Sequence, residues 1–284
     1  MSDELLHVVD VAPTGEARGT IIAIHGLAES AATLTAAARH WRAAGFRVLA
    51  VDVRGHGESP RWTPELLREH PGDVIVRDLE RTLDPLVFDI DVDIDHAPIF
   101  VYGHSSGGSA AAALAADRIA SVTAVVLEDP FWRLPVTRHQ DREVAREATA
   151  NLARLQGMSD RERQAEQASR EPQWRAEELP AWSLAKERTD IRLVENGDVI
   201  PSTPWPRILE VLHAADIPVL IITGTISIGT TEAHQEIDRA HGAEVLVYEG
   251  ATHFVRRDMP ERFLADVDAF LSRQLERVAK PPVR

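Results

Sequence analysis

The sequence of 284 residues contains no cysteine. This absence excludes a disulfide framework, a cysteine nucleophile and a zinc site built on thiolates. Long apolar runs are also lacking, and none approaches the ~20 residues that a membrane-spanning helix requires. The sequence therefore excludes three kinds of cysteine site and gives no reason to expect a spanning helix.

Positive charge is scarce as well. The chain has 31 Lys and Arg against 45 Asp and Glu, a formal net charge of −14. Coulomb repulsion then disfavours nucleic acids and anionic membrane surfaces as partners. The first residues are acidic and lack the apolar stretch of a signal peptide. We therefore expect a cytoplasmic protein that acts on a small molecule, and the sequence does not predict its oligomeric state.

Short β-branched runs dominate the apolar part of the chain. They lie at residues 20–24, 47–52, 99–102, 122–127, 218–223 and 243–248, and helical patterns separate them. Continuous apolar strands between helices are typical of a mainly parallel sheet covered by helices on both faces. The sequence thus predicts an α/β fold, with functional groups beyond the carboxyl ends of the strands.

One long segment has no buried strand pattern. Residues 133–203 are rich in Arg, Glu, Gln and Ala, with helical patterns at residues 142–155 and 160–170. A long insertion after a strand often covers a pocket. We predict an inserted helical cap at residues 133–203 and an α/β core at residues 1–132 and 204–284. The alternative is a solvated helical excursion without a role.

A Gly-x-Ser-x-Gly motif at residues 103–107 connects an apolar strand to an alanine-rich helix. In this context the motif predicts a nucleophile elbow, a sharp turn that presents Ser105 above the sheet. Small neighbours, Gly103 and Gly107, allow the strand and helix to approach closely. The helix N-terminus adds free N–H groups and the positive end of a dipole. Ser105 is the candidate nucleophile.

Three polar residues follow other strands, namely His25, Asp52 and His56. They could bind a metal, but they lie on separate turns and lack a ligand spacing such as His-x-x-x-His. We expect them to tie loops together by hydrogen bonds. No metal and no organic cofactor is predicted.

The motifs taken together resemble the α/β-hydrolase family. The matching segments are His-Gly-Leu at residues 25–27, Asp-x-Arg-Gly-His-Gly-x-Ser at 52–59, the motif at 103–108 and Gly-x-x-His at 250–253. The resemblance implies a Ser–acid–His order along the chain, with His253 as the base. It also implies an oxyanion hole from the backbone N–H groups of Leu27 and Ser106. A serine nucleophile excludes the haloalkane dehalogenase and epoxide hydrolase branches, which use aspartate.

The third member of the triad is less obvious. Most relatives carry the acid after the strand at residues 218–223, but here residues 224–231 contain no carboxylate. A minority take it from the end of the preceding strand, where this chain has Glu128 and Asp129, as in some zearalenone-type lactone hydrolases. Side chains alternate across a strand, so only one of the two can point to His253. We predict Glu128, whose extra methylene gives reach, with Asp129 as the alternative.

These residues predict a serine hydrolase that cleaves a carboxylic ester or lactone through an acyl-enzyme. Tryptophans in or beside the cap, Trp132, Trp174, Trp182 and Trp205, are expected to line an apolar pocket for a small to medium substrate. An amidase, a cofactor-free perhydrolase and a non-catalytic binding protein of the same fold remain alternatives.

Overall fold

A computed structural model describes residues 4–88, 97–132 and 138–279. The described strands form one seven-stranded sheet in the order β1-β3-β2-β4-β5-β6-β7. β1 is antiparallel to β3, and the other neighbours are parallel. The strands are β1 (Val8–Val11), β2 (Gly19–Ile24), β3 (Phe46–Val51), β4 (Ile99–His104), β5 (Val122–Glu128), β6 (Val219–Ile226) and β7 (Glu244–Thr252).

Helices connect the parallel strands, as right-handed crossovers require. In the described part of the chain they are α1 (Thr35–Ala43), α2 (Pro71–Leu83), α3 (Ser106–Asp117), α4 (Arg138–Gln156), α5 (Asp160–Arg170), α6 (Leu179–Glu187), α7 (Ile191–Asn196), α8 (Trp205–Ala214), α9 (Glu232–Ala240), α10 (Val255–Asp258) and α11 (Pro260–Ala279). None of the described helices is long and apolar enough to cross a membrane.

Each face of the sheet buries its own core. On one face, α2, α3 and α8 pack on alternate residues of the strands. On the other face, α1 and α11 pack on the remaining residues, with Trp41, Tyr102 and Phe263 among the largest side chains. Strands buried on both faces read as continuous apolar runs, which is the pattern of this sequence.

The register of the sheet brings the ends of its central strands together. Gly103 of β4 lies beside Leu127 of β5, and Glu128 lies beside Ile222 of β6. Because neighbouring parallel strands end at the same edge, the residues that follow β4, β5 and β6 meet there. The end of β7 at Thr252 brings the next residue, His253, to the same edge.

The segment between β5 and β6 is helical wherever it is described. Residues 138–203 contain α4 to α7 and no strand. The sequence pattern predicted α4 and α5, but α6 and α7 were not foreseen. Residues 133–137, where the predicted cap begins, lie outside the described residues. The division into a core and a cap stays a prediction.

Polar contacts fix the segment with α4 to α7 to the rest of the fold. The backbone N–H of Asp190 donates to the Gly55 carbonyl at 2.7 Å, and the N–H of Trp62 donates to the Asp190 carboxylate at 3.1 Å. On another side, Arg257 forms an ion pair with Glu178 at 3.2 Å. These contacts join the segment to the loop after β3 and to α10.

Candidate active site

Ser105 occupies a strained turn between β4 and α3. Its backbone has φ +55° and ψ −126°, a region that residues other than glycine rarely adopt. The turn is held by hydrogen bonds from the Ser105 N–H to the Glu128 carbonyl at 3.0 Å and from the Phe131 N–H to the Ser105 carbonyl at 3.0 Å. Such strain persists only where surrounding contacts fix it, and it is typical of functional positions.

The glycines of the motif are needed because backbones approach closely around the turn. A Cβ atom on Gly103 would lie 2.3 Å from the Gly107 carbonyl oxygen, and one on Gly107 would lie 2.2 Å from the His25 carbonyl oxygen. Any side chain at either position would force β4, α3 and β2 apart. The motif predicts a nucleophile elbow, and the backbone here has that form.

His253 lies at the same edge, immediately after β7. Its Nδ1 is hydrogen-bonded to Oδ2 of Asp129. Its own carbonyl oxygen is hydrogen-bonded to His104 Nε2 at 3.0 Å, and its ring packs against His104 and Phe254. With Nδ1 donating to the carboxylate, Nε2 is left to accept a proton, which is the arrangement of a general base.

The Asp129 carboxylate is completely buried and surrounded by donors. Oδ1 accepts from the Thr223 and Ser227 hydroxyls, both at 2.5 Å, and from the Thr230 N–H at 3.2 Å. Oδ2 accepts from the Gly229 N–H at 3.3 Å as well as from His253. Thr223 is a residue of β6, and the other donors, apart from His253, lie in the turn after β6, where the sequence offers hydroxyls and no carboxylate.

The pKa of Asp129 follows from these contacts. Burial by itself raises the pKa of a carboxyl group, but the hydrogen bonds from His253, Ser227 and Thr223 outweigh it and hold the pKa of Asp129 below its usual value. The carboxylate therefore stays ionised beside the imidazole.

The prediction that Glu128 partners His253 is wrong. Its Oε1 accepts from the Arg256 backbone N–H at 2.8 Å, and its Oε2 contacts the Tyr102 hydroxyl and Arg256 Nη1, the latter at 2.9 Å. Glu128 belongs to the face of β5 that also carries Ala124 and Val126. Asp129 follows the strand with φ +38°, which turns its side chain to His253 instead. The alternative acid, Asp129, is the one in contact.

Glu128 is part of a buried ion-pair cluster that we define as Glu29, His104, Glu128, Arg256 and Arg257. Glu29 accepts from Arg256 at 2.6 Å and from His104 Nδ1 at 2.6 Å, and it pairs with Arg257 at 3.0 Å. Burial opposes ionisation of Glu29, but Arg256, His104 and Arg257 hold its pKa well below the usual range. The cluster underlies both the elbow and His253, because His104 also contacts the His253 carbonyl.

The predicted oxyanion donors lie in the wall of one cavity with Ser105 and His253. Ser106 is the first residue of α3, so its N–H has no partner within the helix. Leu27 lies in a turn held by the neighbouring residues. The Gly26 N–H donates to Glu29 at 3.1 Å, and the Ala28 N–H donates to His56 Nε2 at 3.1 Å.

The cavity has a volume of about 330 Å³. Apolar side chains of α4, α7 and the strand-end loops make up most of its described wall: Leu27, Phe131, Val144, Leu152, Leu155, Val194, Val199, Ile228 and Phe254. Asn151 and Lys186 are the polar side chains among the described lining residues outside the serine and histidine positions. This is the composition of a pocket for a largely apolar small molecule.

Comparison with known proteins identifies the family and the fold. The family Hydrolase_4, described as serine aminopeptidase, S33, matches residues 15–260. The chain belongs to this family. The crystal structure of E-2-(acetamidomethylene)succinate hydrolase superposes with a TM-score of 0.70 at 18% identity, covering 94% of this chain and 95% of that one. The predicted α/β-hydrolase fold is thereby confirmed.

Two curated relatives are similar over part of their length. Lipase LipV of Mycobacterium tuberculosis is 35% identical over 133 residues, 47% of this chain and 44% of the lipase. The monoglyceride lipase of Homo sapiens is 31% identical over 119 residues, 42% of this chain and 37% of the lipase. The matches span less than half the length of these relatives, so their activities enter only as support for a proposal.

The four tryptophans that were expected to line the cavity are absent from its described wall. Trp132 stacks on Trp205 with ring centroids 6.0 Å apart, and the Trp205 indole donates to Asp238 at 3.0 Å. Trp174 and Trp182 pack with Leu155 and Leu179. The rings of Trp132 and Trp205 are buried in the core on one face of the sheet, and those of Trp174 and Trp182 in a small separate cluster, while other apolar side chains form the cavity wall.

The three polar residues considered as metal ligands hold loops together. His25 Nε2 accepts from the Val53 N–H at 3.1 Å, and Asp52 accepts from the Ala31 N–H at 2.7 Å. His56 is neutral, since burial lowers its pKa to about 3, and its Nε2 accepts from Ala28. Within the described ranges no group of three or more His, Cys, Asp or Glu could hold a metal ion.

Several residues of the site were missed at the sequence level. Thr223 and Ser227 hold Asp129, Arg256 neutralises Glu128, and Lys186 of α6 enters the cavity. A usable signal for the first two was the absence of a carboxylate from residues 224–231, together with the hydroxyls of Thr223 in β6 and Ser227 just after it. Nothing in the local pattern distinguishes Arg256 or Lys186 from solvent-facing cations.

Proposed function

We propose that the protein is a serine hydrolase of carboxylic esters, with Ser105 as nucleophile, His253 as general base and Asp129 as the acid. One observation carries the proposal: the buried Asp129 carboxylate is hydrogen-bonded to His253 Nδ1, and His253 and Ser105 line the same apolar cavity. Membership of the S33 family and similarity to the two lipases support it.

The proposed reaction follows from these positions. Ser105 Oγ attacks the ester carbonyl while His253 takes its proton, and Asp129 stabilises the imidazolium that forms. The N–H groups of Leu27 and Ser106 bind the oxyanion. His253 returns the proton to the departing alcohol, and a water activated by His253 then hydrolyses the acyl-enzyme.

The cavity supports a small to medium substrate with an apolar portion, either an open ester or a lactone. Its volume of about 330 Å³ lies at the lower end of the range of ligand sites. Aliphatic side chains from α4 would cover an acyl or alkyl chain. A long lipid chain would have to extend past the mouth, where Val144 and Ile228 are exposed.

Amide cleavage is the second candidate, because the family is described as serine aminopeptidase. An aminopeptidase has to accommodate the positive α-amino group of its substrate. Among the described residues that line this cavity none is Asp or Glu, and Lys186 contributes a positive charge. Repulsion from that ammonium favours an ester over a peptide with a free N-terminus.

Hydrolysis of 4-nitrophenyl esters of graded acyl length tests the proposal, with amino acid 4-nitroanilides as the amide comparison. We expect ester turnover and labelling of Ser105 by an organophosphate, located by mass spectrometry. The Ser105→Ala variant should fall to a residual enhancement of about 10³–10⁴ over water. Labelling of another residue, or full activity of Ser105→Ala, would refute the assignment. Faster cleavage of the anilides would move the function to amide hydrolysis.

A further inference from the structure

Lys186 is a buried cation in an otherwise apolar part of the cavity wall. Its side chain comes from α6, reaches the cavity beside Leu27 and Ala28, and is only 8% exposed. The ammonium lies over the Trp182 ring at 5.1 Å from the centroid. A charged group removed from water in this way is costly unless a partner of opposite charge or hydrogen-bond acceptors compensate it.

The described residues compensate Lys186 only in part. Its Nζ donates to the Ala28 carbonyl at 2.8 Å, which occupies one of its three N–H donors. No described carboxylate forms an ion pair with it. Glu29 is near enough to act on its charge, but the oxygens of Glu29 already contact His104, Arg256 and Arg257. Lys186 therefore has donors left to offer to a molecule in the cavity.

We propose that Lys186 binds a carboxylate of the substrate, so that this site prefers esters carrying an anionic group a few carbon atoms from the reacting carbonyl. The inference rests on the proposed ester hydrolysis. Lys186 Nζ is 2.8 Å from the carbonyl oxygen of Ala28, which directly follows Leu27, the proposed oxyanion donor. These residues line one cavity with Ser105, so a carboxylate held by Lys186 would lie in the same cavity as the reacting carbonyl.

The chemistry of the wall favours such a ligand. A carboxylate would accept charge-assisted hydrogen bonds from Lys186, while its methylene chain would contact aliphatic side chains of the wall such as Leu155 and Val194. The protein has a net charge of −14, so the positive charge of Lys186 makes the pocket differ in sign from the molecule as a whole. Hydrogen bonds to charged groups contribute about 10–100-fold in binding.

The ionisation of Lys186 makes the preference for an anionic ester depend on pH. Burial lowers the pKa of Lys186 to about 8, Glu29 opposes that shift and Arg257 of α10 adds to it. Arg163 of α5, which packs against α6, is paired with Glu187 at 2.7 Å. The ammonium is charged below its pKa and neutral above it, so the preference for an anionic ester is present near pH 7 and lost as the pH rises above 8.

Matched methyl esters test the proposal. Monomethyl glutarate carries the carboxylate, and methyl 5-oxohexanoate has nearly the same shape with a neutral acetyl group. We expect kcat/KM, measured from the methanol released, to favour the half-ester by about 10–100-fold at pH 7. Since His253 acts on both esters, any effect of its ionisation cancels in the ratio of their kcat/KM values. That ratio should fall toward one between pH 8 and 10.

Substitutions of Lys186 test whether its positive charge causes the preference for the half-ester. Lys186→Gln keeps a donor for Ala28 but removes the charge, so the ratio of the two kcat/KM values should fall to about one. Lys186→Arg keeps the charge and should retain most of the preference for the half-ester. Arg188→Gln is the matched control, since it removes one positive charge from a half-exposed side chain at the end of α6 that pairs with Glu58. It should leave the ratio unchanged. Equal loss on both esters in Lys186→Gln would mean a structural role and overturn the proposal.

Binding separates this proposal from the reaction itself. Glutarate should bind the wild-type protein in calorimetry at least tenfold more tightly than it binds Lys186→Gln. If glutarate binds in this way but no ester is cleaved, the carboxylate site stands and the proposed hydrolysis fails. If esters are cleaved with no preference for the half-ester at pH 7, the carboxylate site fails and the hydrolase remains.

Discussion

Glu128 and Asp129 are adjacent and both fully buried, yet their carboxylates have different partners. Glu128 contacts the guanidinium of Arg256 and the Tyr102 hydroxyl on one side of the sheet. Asp129 accepts from the Thr223 hydroxyl of β6, from hydroxyl and N–H groups of the turn after β6 and from one imidazole. Since both side chains are equally buried, the difference in their chemical roles comes from their hydrogen-bond and ion-pair partners.

The two carboxylates differ in whether a permanent cation already neutralises their negative charge. Arg256 is positive at all relevant pH values, so it permanently neutralises Glu128 and leaves that carboxylate with a structural role. The hydroxyl and N–H groups that donate to Asp129 carry no charge. Its negative charge therefore remains available to stabilise an imidazolium when His253 takes a proton.

The largest expected effect is that of Asp129→Asn. The amide keeps the size of the side chain but removes the charge and the acceptor that fixes the histidine tautomer, so turnover of a 4-nitrophenyl ester should fall about 10⁴-fold. Steady-state kinetics measures the loss, and organophosphate labelling of Ser105 should slow in parallel. Retention of more than a tenth of the activity would show that another group orients His253.

Glu128→Gln should instead affect stability. It leaves Arg256 buried without a full counter-charge, and breaking a buried ion pair costs about 3–5 kcal/mol. We expect a lower midpoint of denaturant unfolding, with activity per folded molecule within about tenfold of wild type. Glu249→Gln, at an exposed position of β7, is the matched control and should be neutral. A fold as stable as wild type with a 10⁴-fold loss of activity would reverse the roles of the two acids.

Much of this arrangement could be predicted. The β-branched runs gave the strands of the parallel sheet, and the Gly-x-Ser-x-Gly context placed Ser105 at the end of β4. Alternation along β5 correctly implied that only one of the two acids points to His253. It could not say which, because both faces of the sheet are apolar and the pattern does not distinguish the face that leads to the histidine.

Two further features could not be predicted from the local sequence. The φ of +38° at Asp129 is imposed by tertiary contacts rather than by residue type. The tryptophans were expected at the cavity because large apolar rings suit a pocket, but a cavity exists where side chains leave space. The rings of Trp132 and Trp205 instead fill space against each other.

A third buried acid, Asp238, extends the comparison, because no described cation forms an ion pair with it and no described hydroxyl donates to it. Oδ1 accepts from the Trp205 indole at 3.0 Å, whereas no described group donates to Oδ2. Burial raises the pKa of Asp238 to about 7, and the indole donors of Trp205 and Trp132 offset this only partly. The folded state thus binds a proton that the unfolded state releases above about pH 4.

Asp238→Asn should therefore stabilise the protein at neutral pH. The raised pKa means that wild type loses stability as the pH rises from about 4 to 7, while the amide keeps the acceptor for Trp205 and does not titrate. We expect a gain on the order of 2 kcal/mol at pH 7 that disappears near pH 4. Urea unfolding at several pH values measures it. A variant less stable than wild type at pH 7 would mean that Asp238 is ionised and paired.

The smallest effect is expected for Ser227→Ala, which removes one hydroxyl from the surroundings of Asp129. Ser227 donates to Asp129 at 2.5 Å and accepts from the Gly229 and Thr230 N–H groups, both at 2.9 Å. Those two N–H groups also contact Asp129 directly, and Thr223 still donates to Oδ1, so the carboxylate keeps most of its donors. One hydrogen bond to a charged group, of about 1.5–3 kcal/mol, is lost, and the remaining donors limit the fall in kcat/KM to about 10–100-fold. Ser227→Thr retains the hydroxyl and should restore most of the activity. A loss as large as that of Asp129→Asn would mean that the turn after β6 positions the acid through this single contact.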